Sequence, residues 1–142
     1  MPRQLTNSKV LVASAAVTAT ANSGALTLPI ADIYTFVVNV TTVTGTTPTL
    51  DIVFQNTPDD GTTWINMPMR TAQLTAASAN YFNLPASRAA IADSNATAAT
   101  GGILSKNYIP SRKIRILYTV GGTNPSFTFG VYMWSSVSAT AT

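Results

Sequence analysis

Two runs of apolar/polar alternation organise the chain. In the first, Tyr34, Phe36, Val38 and Val40 fall on one side of an extended strand, and Thr35, Asn39 and Thr41 on the other. Leu50, Ile52 and Phe54 then repeat the pattern, with Thr49, Asp51 and Gln55 opposite. A period of two is that of a half-buried strand. Gly45-Thr46-Thr47-Pro48 joins the two runs, so the stretch predicts a β-hairpin whose loop uses Gly45 for a positive φ.

The unit recurs. Val120-Gly121-Gly122-Thr123-Asn124-Pro125 aligns without a gap on Val43-Thr44-Gly45-Thr46-Thr47-Pro48, matching the valine, a glycine, a threonine and the proline. Ile114, Ile116, Tyr118 and Val120 alternate before the second loop, and Phe127, Phe129, Val131 and Met133 after it. Two related hairpins that pair or face each other across one core are expected. Tyr132 and Trp134 are out of phase with the second set and are expected to project from the opposite face.

The remaining segments are shorter. Val10–Ala19 alternates weakly (Leu11, Ala13, Ala15, Val17) as a first strand, preceded by a polar arm over residues 1–9. This start imitates a secretory leader, with Ala19-Thr20-Ala21 as its cleavage site, but a stretch of mostly Ala, Ser and Thr is a weak apolar core for one. Ala25–Ile30, Thr62–Met69 and Leu74–Leu84 predict further strands. Residues 86–107, rich in Ala, Ser, Thr and Asn, read as a long insertion, and residues 135–142 as a polar tail. The expectation is one domain over residues 10–134, an all-β antiparallel sandwich of jelly-roll-like form.

Composition narrows function. Only 9% of the 142 residues are charged, and there is no Glu, His or Cys. Without histidine or cysteine there is no ordinary catalytic triad, imidazole base or zinc site. The five aspartates are scattered apart from Asp59-Asp60, and no glycine-rich phosphate cradle opens a helix. An enzyme is not expected, nor a cofactor or metal. No run is long enough to span a membrane as a helix. The net charge of +3 comes from few groups, so nucleic acid is not an expected partner. Arg112, Lys113 and Arg115 form the one basic cluster; with Arg3, Lys9, Arg88 and Lys106 they are candidates for contact with an acidic partner surface.

Thr57-Pro58-Asp59-Asp60-Gly61-Thr62-Thr63-Trp64 resembles the Asp-box of sialidases and related proteins, with threonine for the usual serine. That resemblance implies a turn tied to its own backbone by Asp59, with Gly61 in the turn and Trp64 buried. A single copy supports a hairpin and says nothing for glycan cleavage.

Together, YTFVVNVTTVTGTTPTLDIVFQNTPDDGTTW and KIRILYTVGGTNPSFTFGVYMW resemble the small β-sandwich structural proteins of tailed bacteriophages. The shared pattern is a strand, a Gly-Thr-x-Pro loop (Gly45 to Pro48, and Gly122 to Pro125), a strand, and an Asp-Gly turn with Trp. The resemblance implies a virion protein assembled in the host cytoplasm, a capsid decoration (cement) protein. It would bind the major capsid protein and copies of itself as a trimer. A tail, fibre or adhesion module binding host-surface glycan through Tyr132 and Trp134 is the alternative. A DNA-contacting head-completion protein is a further rival, resting on the basic cluster alone.

Overall fold

The computed structural model describes residues 4–85 and 111–138. Among these there is no helix. The strands are β1 (Gln4–Val17), β2 (Ala21–Asn22), β3 (Leu26–Thr27), β4 (Ile33–Asn56), β5 (Ile65–Arg70), β6 (Ser78–Pro85) and β7 (Lys113–Ser138). All their pairings are antiparallel. The protein is thus all-β, as the alternation and the Thr/Val content predict.

The centre of the fold is a ribbon of β4 and β7, 24 and 26 residues long, paired from Ile33↔Ser136 to Asn56↔Ile114. The chain does not reverse within Gly45–Pro48 or Gly122–Pro125, as two separate hairpins would require. Each segment runs on, and the two copies pair with each other through Thr46↔Thr123. The pairing is symmetric about that point. Thr44↔Ser126 answers Thr49↔Gly121, Val43↔Phe127 answers Leu50↔Val120, and Thr42↔Thr128 answers Asp51↔Thr119. Each match uses the offset that aligns Gly45 with Gly122. The backbone repeats as well: φ is 114° at Gly45 and 109° at Gly122, 47° at Thr47 and 48° at Asn124. The internal repeat is therefore a pseudo-two-fold axis through the ribbon.

The ribbon doubles over at this crossing. At about 3.3 Å per residue, a straight strand would hold Phe36 and Phe54 roughly 60 Å apart. Their ring centroids lie 5.2 Å apart, edge to face. Tyr118 and Phe129 of β7 meet likewise at 5.3 Å. The first half of β4 and the second half of β7, flanked by β1 and β6, make one sheet. The other halves, flanked by β2, β3 and β5, make the sheet packed against it. Between them lie Phe36, Val38, Val40, Leu50, Ile52, Phe54, Ile114, Ile116, Phe127, Phe129, Val131 and Met133, almost all wholly buried. This is a sandwich core.

The outer segments follow the same bend. β1, β2 and β3 run in succession along the free edge of β7, and β5, the Leu50↔Leu74 bridge and β6 along that of β4. Under the two-fold, the N-terminal half lends its edge to the central strand of the C-terminal half, and receives one in return.

Two sequence boundaries move. Gln4–Lys9 belongs to β1, paired with Met133–Ser138, rather than to a separate arm, and Ser135–Ser138 is the end of β7 rather than tail. The insertion over residues 86–107 lies outside the described residues.

Candidate functional site

The Asp-Gly turn links β4 to β5 and is built as the Asp-box resemblance implies. The buried hydroxyl of Thr57 accepts from the Gly61 amide at 2.7 Å and donates to Asp59 Oδ1 at 3.0 Å. Asp59 Oδ1 also accepts from the amides of Thr62 (3.1 Å) and Thr63 (2.6 Å). Hydrogen bonds from Thr63, then those from Thr57 and Thr62, hold the Asp59 carboxyl below its ordinary pKa. Asp60 and Gly61 take the left-handed φ values, 59° and 110°. Trp64 packs against the turn, its Cζ2 3.8 Å from where a Cβ on Gly61 would lie, but it is not fully buried. It is half-buried, and the Arg115 guanidinium lies 4.7 Å from its ring centroid.

Two members of the basic cluster find partners within the chain. Arg115 donates through Nε to Gln55 Oε1 at 2.6 Å, and Gln55 donates to Asn66 at 2.8 Å. Lys113 pairs with Asp60 at 2.7 Å. Both cations therefore serve this chain's own turn and the outer face of the second sheet. Arg112 stays exposed and borders two open clefts of about 460 and 380 Å³. Lys9, on the wall of the larger cleft, reaches across to the second sheet and donates to the Thr27 carbonyl at 3.1 Å. Arg3, Arg88 and Lys106 lie outside the described residues. Of the described candidates, Lys9 and Arg112 line one cleft and Arg112 and Lys113 the other, so Arg112 links the two, while Arg115 is taken up by Gln55 and Trp64.

Gly45, Pro48, Gly122 and Pro125 are brought together at the crossing. A Cβ on Gly45 would meet the Asn124 carbonyl at 2.7 Å, and one on Gly122 the Thr47 carbonyl at 2.6 Å. Their role is close backbone approach.

The outer face of the first sheet is the feature that stands out chemically. Register places Val10, Tyr132, Val37 and Tyr81 in one row across the strands, and Ser8, Trp134, Thr35 and Asn83 in the next. Ile33 lies on the same face, one row further on. Exposure is 57% for Val10, 58% for Tyr81 and 38% for Trp134. Val37 points outward yet is only 6% exposed, so its neighbours on the face cover it. No charged side chain occurs on this face among the described residues. Tyr132 and Trp134 carry the phase signal in the sequence. Tyr81 carries the same signal relative to buried Phe82 and Leu84, but Tyr81, Phe82 and Leu84 read there as one apolar group.

No group of three or more Asp residues that could hold a metal occurs among the described residues. No helix there is long and apolar enough to cross a membrane. No family model, curated protein or solved structure matches the chain.

Proposed function

We propose that this protein is a structural subunit of a bacteriophage virion: a capsid decoration protein that binds the major capsid shell as a homo-oligomer, with three copies per site. The observation that supports it best is the edge formed by β1. This 14-residue strand pairs on one side with β7 and on the other with nothing among the described residues. Monomeric proteins blunt such an edge with charges, a proline or β-bulges. Here Gln4–Val17 carries one charge, Lys9, and its ammonium is turned in toward Thr27. Register shifts between Val10 and Val12 and between Val12 and Ala15 interrupt this edge, but its Ala, Ser and Val surface suits a chain whose neighbours cover it, and low charge keeps the desolvation cost of that cover small.

Co-sedimentation with heads and with tails stripped of this protein tests the reading. Saturable binding to heads at a fixed ratio is expected, and its loss in the Ala13→Lys/Ala16→Lys double variant, which places charge on exposed edge positions. Binding to tails alone would move the function to adsorption.

A further inference from the structure

We infer that the outward face of the first sheet is a stacking platform for neutral carbohydrate, centred on Tyr132 with Tyr81 and Trp134 beside it. This goes beyond shell binding and holds whichever part of a virion carries the protein.

The orientation of one ring carries the argument. A Cβ at Gly130 would lie 2.6 Å from the Tyr132 hydroxyl oxygen, 2.9 Å from Cζ and 3.1 Å from Cε2. The ring therefore lies down along its own strand, over the glycine two residues before it, and turns one π-face outward. With any larger residue at position 130 it would have to lift. Glycine inside a strand weakens it and marks close approach of another group; here that group is the tyrosine ring.

The surroundings select the ligand. A pyranose offers a C–H face that packs on an aromatic ring, and a rim of hydroxyls that needs hydrogen-bonding partners. Tyr81 and Trp134 extend the apolar surface laterally and along the strand. Ser8, Thr35, Asn39 and Asn83 place hydroxyl and amide groups between the rings on the same face. With no charged side chain there, an anionic ligand gains no ion pair. The opposite outer face differs: its Trp64 is already covered by Arg115.

Size argues against a second copy as occupant. Strands about 4.8 Å apart and residues about 3.4 Å apart along them give a face of roughly 20 by 20 Å. A stable protein interface needs about 800 Å² from each partner, around twice that. The face is of the size that the largest patch on a monomer usually has, often a functional one, and it suits an oligosaccharide.

The test is a neutral-glycan array of hexose, N-acetylhexosamine and deoxyhexose oligomers, followed by calorimetric titration of the full chain with the oligomers that bind. Binding at about millimolar Kd or tighter is expected, with a loss of about tenfold or more in Trp134→Ala and Tyr132→Ala. Gly130→Ala is the sharper variant. It keeps all three rings and lifts one, so it should weaken binding as Tyr132→Ala does, while Tyr132→Phe retains it. Thermal unfolding of each variant confirms the fold. A blank array overturns the proposal. So does binding that survives both Gly130→Ala and Tyr132→Ala, or a concentration-dependent dimer lost in Tyr81→Ala, which would make the face an interface between copies. Head co-sedimentation reads out separately, so either conclusion can fail alone.

Discussion

Gly45 and Gly122 occupy equivalent places on either side of the Thr46–Thr123 pair, each pressed against the backbone of the other's segment. Each has a positive φ, and each would put a Cβ within 3 Å of a carbonyl oxygen. Gly45→Ala and Gly122→Ala are therefore expected to destabilise by similar amounts, about 1–3 kcal/mol each, from strain in the left-handed region and the backbone contact. Urea denaturation measures both. A neutral result at one glycine and a large one at the other would refute their equivalence.

Phe54 is wholly buried and touches Phe36 at 5.2 Å and Phe82 at 5.6 Å. It joins the two sheets where the doubled ribbon meets itself. Phe54→Ala removes both contacts and leaves a void, at a cost of about 3–5 kcal/mol. Against a domain stability of about 5–15 kcal/mol, the variant should unfold well below the wild-type temperature, and Phe54→Leu between the two.

Asp59 gives the turn a pH signature. Its folded pKa is depressed by the hydrogen bonds it accepts, so its stabilisation is complete above the unfolded carboxyl pKa and is lost as pH falls through the lower folded value. Wild type should lose stability across that acidic window, and Asp59→Asn should lose less while starting from a lower melting temperature. Parallel acid limbs for the two proteins would show that the turn does not depend on the carboxylate.

Arg115 covers Trp64 and is the partner of buried Gln55. Arg115→Ala uncovers the indole and leaves a buried amide oxygen without its donor, a loss of roughly 1–3 kcal/mol. Lysine cannot both stack and donate through a planar fork, so Arg115→Lys should recover little. Iodide quenching in a Trp134→Phe background follows Trp64 alone and should rise in both variants.

The core was legible residue by residue. Phe36, Val38, Val40, Leu50, Ile52, Phe54, Phe127, Phe129, Val131 and Met133 are the alternating positions, and all are buried. The repeat was legible too, as two copies brought together. What alternation cannot carry is the partner of each strand. Gly-Thr-x-Pro is compatible with a local reversal and equally with two distant backbones crossing, because both need a glycine with φ above zero. The engagement of Arg115 was hidden for the same reason: only the pairing of Gln55 with Arg115, and the Asp-Gly turn beyond it, puts the Trp64 ring beneath the guanidinium.

The exchange of edges between the two halves bears on the order in which the protein can be made. β7 is the partner of β1, β2, β3 and β4, and it leaves the ribosome after all of them. Until it emerges, β1 has no ladder and β4 has only β5 and β6 along one side. Pairing of these strands must therefore wait for β7, and long-range pairing of this kind is slow. During that interval the nascent chain displays unpaired Val- and Thr-rich strands, which makes holding chaperones and translation speed determinants of its yield.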